Sequence, residues 1–259
     1  MRVSFLRPWA FALVSALCVP CATRAAAINY GNSPVIPPGV TFLGVTESSS
    51  TDPVPLFGPP SYFTTGIDFN PTSFGASSSG GGGDVTDGQL NFTVAGTVSP
   101  SQVVAISQVS LAESGDYTLV GTGTVATQTI AGGSIKVTVK EIDGVTLGTP
   151  IVLTPSNASV GFNLIANPGV LQPWALGTSL NITAQLTALA IPFTYGATRV
   201  DVVMDDNVIA LSEASTAAFI AKKDFTVGLV GNVSLVPEPA GLMLLTVGAV
   251  GALARRRGR

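Results

Sequence analysis

Histidine is absent from this chain, and its two cysteines, Cys18 and Cys21, both stand near the N-terminus. Without histidine the usual general base is missing, and without a later cysteine so is the thiol nucleophile, which excludes hydrolases of the triad type. The spacing Cys18-Val19-Pro20-Cys21 has the look of a redox pair. It lies in an apolar segment with no fold around it, so that chemistry is not expected. Charge is also scarce, at 10% of residues. Between Ile28 and Val236 five basic residues (Lys136, Lys140, Arg199, Lys222 and Lys223) face 14 acidic ones, a net of −9. Nucleic acid and anionic membranes need a basic surface, so neither is an expected partner. Lys, Glu and Leu at helical spacing are few. Glycine (29 residues), proline (18), threonine, serine and valine take their place, which suits short strands joined by turns.

The first 27 residues read as a secretory signal peptide. Arg2 and Arg7 supply the positive start, Trp9 to Val19 the apolar core, and Ala25-Ala26-Ala27 the small side chains that a signal peptidase pocket accepts. Cleavage is expected after Ala25 or Ala27, with the body exported through the inner membrane.

At the other end, Ala240 to Ala254 is an uncharged run that would extend about 22 Å as a helix, short of the roughly 30 Å of a bilayer core. Arg255, Arg256, Arg257 and Arg259 follow it. By snorkelling they let a short span bridge, and as basic flanks they stay on the cytoplasmic side. Before the run comes Val236-Pro237-Glu238-Pro239. A residue preceding proline is pushed into an extended shape, so Glu238 is expected in a stretched segment that a protease binds as a strand.

These residues, in this order at residues 236–259, resemble the PEP-CTERM sorting signal of exopolysaccharide-producing bacteria. The resemblance implies a transient membrane anchor, processing near Pro237-Glu238-Pro239 by an exosortase-type protease, and delivery to the cell envelope, surface or extracellular matrix. It implies nothing about the body.

Within the body, residues 28–84 are rich in Pro, Ser and Gly yet carry Phe42, Phe57, Phe63, Phe69 and Phe74. They are expected to form a meander of loops and short edge strands lying on the domain, with Ser77 to Gly83 as an exposed mobile loop. Residues 85–235 carry regular strand signals. Leu90, Phe92 and Val94 alternate with polar residues, as do Val200, Val202 and Met204, and Phe225, Val227 and Leu229. Eight to ten such strands, each with one apolar face, bury it most simply against a second sheet, so an all-β antiparallel β-sandwich is expected, with jelly-roll-like connections. The N-terminal signal and the C-terminal span would be its helices, with a further short one from Ser212 to Lys222.

Candidate sites are sparse. Asp201, Asp205 and Asp206 form the densest acidic group and the candidate Ca²⁺ site, although Asp205 to Asn207 also reads as a strand-ending turn. No other cofactor is expected. Paired carboxylates can hydrolyse glycosides, but Glu141-Ile142-Asp143-Gly144 stops after two acids, and no enzyme activity is expected. Trp174 is the body's single tryptophan and the candidate sugar contact, should the sandwich bind surface polysaccharide.

Overall fold

The computed structural model describes residues 26–236. The signal segment through Ala25 and the tail from Pro237, with Glu238, Pro239 and the terminal arginines, lie outside the described residues. Ala27 is exposed just before the first strand. Among the described residues no helix is long and apolar enough to cross a membrane.

The chain is almost wholly β. In order come β1 (Ile28–Gly31), β2 (Val40–Ser48), β3 (Ser61–Phe63), β4 (Gly66–Phe69), β5 (Gly75–Ser79), β6 (Gly82–Gly96) and β7 (Gln102–Gly121). There follow β8 (Gln128–Ile142), β9 (Val145–Val152), β10 (Ser156–Asn163), β11 (Gly169–Asn181), helix α1 (Ile182–Ala188), β12 (Ala197–Ser212) and β13 (Thr216–Leu235). One antiparallel sheet has the order β1-β2-β6-β12-β8-β10, with β9 also on β8; the other runs β11-β7-β13-β4-β3, with β5 also on β13. Their apolar faces meet in one core, as in a β-sandwich. The expected inward sets Leu90, Phe92, Val94, Val200, Val202, Met204, Phe225, Val227 and Leu229 are all buried in it.

Three expectations are corrected. The stretch from Ser212 to Lys222 is not helical. It is the end of β12, a turn, and the start of β13, where Ala218, Ile220 and Lys222 are buried at every second residue. Period two was masked by the alanines. The turn is fixed from outside: the Glu213 carboxylate accepts from Thr124 N (2.6 Å) and from Thr127 Oγ1 (2.9 Å). The helix of the described residues is instead α1, inside the region 85–235 where strand signals were expected. Asn181 ends β11 by accepting from Ala184 N at 2.8 Å, the bond of an N-cap, and Ile182 and Leu186, four apart, bury one face.

The third correction concerns the N-terminal part only in degree: its short strands β1 and β3 do stand at sheet edges, but β2 lies between β1 and β6, and Phe42, Phe57, Phe69 and Phe74 are fully buried while Phe63 alone is exposed. Each buried Phe is worth about 1.5–3 kcal/mol over exposure. The region is therefore a working part of the core. Ser77 to Gly83 is mostly strand as well, turning at Gly80 and Gly81, whose φ values of 69° and 93° suit glycine best. That turn carries the chain from one sheet to the other.

Candidate functional site

The chemistry of this body is concentrated inside it. Inward alternation along β12 does not stop at Met204; it continues through Asp206, Val208 and Ala210, all buried. Asp206 is thus no part of a strand-ending turn but a carboxyl between the sheets. Its cross-strand neighbours are Gly88 on β6 and Gly133 on β8, and both leave room. A Cβ on Gly133 would sit 2.8 Å from Asp206 Oδ1 and from Glu113 Oε1, and one on Gly88 would sit 2.6 Å from the Phe74 ring.

The facing sheet supplies Glu113, inward on β7 after Val109 and Leu111, and Lys222 on β13. The side chains of Glu113, Asp206 and Lys222 are without solvent exposure. Lys222 Nζ lies 3.1 Å from Asp206 Oδ1 and is in ion contact with Glu113 Oε2. Outside these ion contacts none of the three makes a side-chain hydrogen bond. The ammonium is roofed by aromatic rings, with Phe74 at 4.5 Å, Phe225 at 5.0 Å and Phe57 at 5.7 Å from ring centre to Nζ. Those rings pack edge to face with each other and exclude water.

Two carboxyls and one amine cannot all be charged at no cost in so dry a place. The pKa of Asp206 is raised to about 7: desolvation is the main cause, the charge of Glu113 and more weakly that of Asp205 add to it, and the pull of Lys222 opposes it. Desolvation raises Glu113 as well, opposed by Lys222. One proton is therefore held near neutral pH, and Asp206, beside the charge of Glu113, holds it. An amine, an ionised carboxylate and a neutral carboxyl in contact can share protons or condense.

Phe57 is held over this group by a second buried carboxyl. Glu47 accepts from Phe57 N at 3.1 Å, from Leu56 N and from Tyr30 Oη at 2.6 Å. It pins the proline-rich segment before β3 onto β2.

The residues singled out from sequence fall elsewhere. Asp201 and Asp205 point to the outer face, opposite to Asp206. Asp201 accepts from Thr93 Oγ1 at 2.7 Å and pairs with Lys140 at 3.2 Å; Asp205 pairs with Lys136 and accepts from Gln89. The three acids do not converge, and among the described residues no group of His, Cys, Asp or Glu could hold a metal ion. Glu141 meets Arg199 at 3.6 Å. Asp143 accepts from Thr194, Tyr195 and Gly196 backbone N–H groups at 2.6–2.8 Å, closing a loop. Trp174 is 4% exposed and donates from Nε1 to Ala221 O at 3.2 Å, so its ring faces are packed in the core and offer no platform to a sugar. Val236 N–H donates to Ser101 O at 3.0 Å.

Sequence reasoning missed Glu113 and Lys222. Glu113 had a signal, a charge at an inward position of an alternating strand. Lys222 had none, because a bulge between Lys222 and Asp224 shifts the alternation just after it.

On the outside, an open pocket of about 590 Å³ lies beside β13, with Thr72, Ser73, Ser77, Phe219 and Lys223 in its lining.

Comparison with known proteins adds little. No family model matches the chain, and no curated protein matches it. Solved structures similar to it include TmCBM61 in complex with β-1,4-galactotriose, at 10% identity and a TM-score of 0.20, covering 65% of this chain and 73% of that one. The family 11 xylanase from Neocallimastix patriciarum is similar at 7% identity and a TM-score of 0.21, covering 81% and 100%.

Proposed function

We propose that this is an exported, non-enzymatic protein of a bacterial cell surface or extracellular matrix, anchored transiently and processed at Pro237-Glu238-Pro239 by an exosortase-type protease. One observation carries the reading. The described strands begin at Ile28, directly after the expected signal cleavage at Ala27, and end at Leu235, two residues before Pro237. Cleavage at the two expected sites would therefore leave every described strand intact. The absence of enzyme activity is inferred from where the acids are spent: Glu47, Asp87, Asp143 and Glu213 each bind backbone N–H groups, and Asp201, Asp205 and Glu141 are paired on the surface.

Mass spectrometry of the protein from its native host tests this. The mature N-terminus is expected at Ala26 or Ile28 and the C-terminus near the Pro-Glu-Pro motif. A chain still ending in Arg259 would reject the processing, and one still starting at Met1 would reject the export.

A second reading, binding of surface polysaccharide, is favoured by the pocket beside β13, where the partly exposed Phe219 ring stands among hydroxyl groups. A glycan array run on the wild type and on Phe219→Ala decides it. Binding lost in the variant supports it, and no binding to any glycan removes it.

A further inference from the structure

We propose that Lys222 Nζ condenses with Asp206 Cγ to form an intramolecular amide, a covalent staple that joins β13 in one sheet to β12 in the other, with Glu113 carrying the protons. The inference stands on the internal geometry and does not depend on the protein being exported.

Four features of the core converge on it. The amine and both carboxyls are fully buried, so no water competes for the carbonyl or hydrates the ammonium. Lys222 Nζ is within 3.1 Å of an Asp206 oxygen and in contact with Glu113, which puts nucleophile, electrophile and base together before any reaction, the situation in which effective concentration is greatest. Phe57, Phe74 and Phe225 wall the lysine in. Gly133 lets the two carboxyls lie side by side, since a Cβ there would sit 2.8 Å from both Asp206 Oδ1 and Glu113 Oε1. A buried ion trio is a poor stabiliser compared with apolar packing, whereas its conversion to an amide removes the charges altogether.

The step balances without any co-reactant. Glu113 takes one proton from the ammonium, leaving a neutral amine. The Nζ lone pair then adds to Cγ of the protonated Asp206 carboxyl, forming the C–N bond and a tetrahedral centre. A second nitrogen proton passes by way of Glu113 to the departing hydroxyl, the C–O bond breaks, and water leaves. The products are one secondary amide, one water and a neutral Glu113 carboxyl, so protons and charge are conserved. Asp206 is taken as the electrophile because desolvation and the charge of Glu113 raise its pKa, while Glu113, in ion contact with Nζ, is placed as the base.

The test is the mass of the folded full chain, measured under denaturing conditions after its termini have been assigned. It is expected to be about 18 Da below the mass of the sequence, one water. Cleavage after Glu213, which lies between the two residues, should leave the flanking peptides joined through Lys222 and Asp206. Lys222→Met and Asp206→Ala should each restore the full sequence mass, as should Glu113→Gln if it folds. Asp206→Asn should lose ammonia instead, about 17 Da. A folded wild type at full sequence mass overturns the proposal whatever the variants do. So does a water loss whose flanking peptides separate after cleavage at Glu213, which would mean a succinimide at Asp206. Peptides joined through Glu113 instead would overturn the choice of electrophile.

Discussion

Glu47→Ala should unfasten the lid over the buried lysine. Glu47 is fully buried, and its two oxygens are the acceptors for Leu56 N, Phe57 N and the Tyr30 hydroxyl. Truncation orphans all three donors at about 1–3 kcal/mol each, and relaxation that lets water reach one of them leaves about 2–6 kcal/mol. That is a large part of the roughly 5–15 kcal/mol of a typical domain, and at about 2–4 °C per kcal/mol it lowers Tm by about 4–24 °C. Urea denaturation followed by tryptophan fluorescence measures it, because Trp174 is the sole tryptophan of residues 26–236 and is buried. Glu47→Gln keeps an acceptor for both backbone N–H groups and presents its amide N–H to the Tyr30 oxygen, so it should cost less than about 1.5 kcal/mol. The reasoning fails if the alanine variant loses under about 1 kcal/mol, or if the glutamine variant is as unstable as the alanine one.

Other outcomes follow from the same geometry. Burial raises the Asp87 carboxyl, but bonds from Ser50, Thr51 and Ser49 outweigh it and hold it at about 2. A folded pKa below the unfolded one stabilises above about pH 4 and loses that effect as pH falls toward 2. Asp87→Asn should accordingly be less stable than wild type at pH 6, with the gap closing by pH 2 in urea titrations. Gly88→Ala places a methyl 2.6 Å from Phe74 and 2.7 Å from Phe57, both locked in the core, and should cost about 1–3 kcal/mol by calorimetry. Trp174→Phe loses the Nε1 bond to Ala221 O and part of the buried ring volume, about 1–3 kcal/mol, and should leave any sugar binding intact; a selective loss of binding in a folded variant would place the ring at a ligand.

Much of the site was within reach of the sequence. Val109 and Leu111 set the parity that carries Glu113 inward, and Val200, Val202 and Met204 do the same for Asp206. The pair Asp205-Asp206 followed by Asn207 has the chemistry of a turn, and that local signal conflicted with the periodicity. Periodicity was right, because β12 is held on both sides, by β6 through Ser212 and by β8 through Leu211, and a strand paired on both edges does not end where its own residues prefer. Lys222 was out of reach: counting back from Phe225 and Val227 puts Lys223 inward, and only the bulge on β13 reverses it.

The sequence by itself determined that the body is strand-rich and which residues of most strands face inward, since these rest on alternation that acts locally. Tertiary structure decided what the alanine- and serine-rich segments became. The helix at Ile182–Ala188 and the strand from Thr216 have weak patterns of their own and take their form from a cap, a carboxylate and neighbouring strands. It alone brought one lysine and two acids from three distant strands into the same dry enclosure, because contact between two sheets depends on how they stack, and no period within a strand records that.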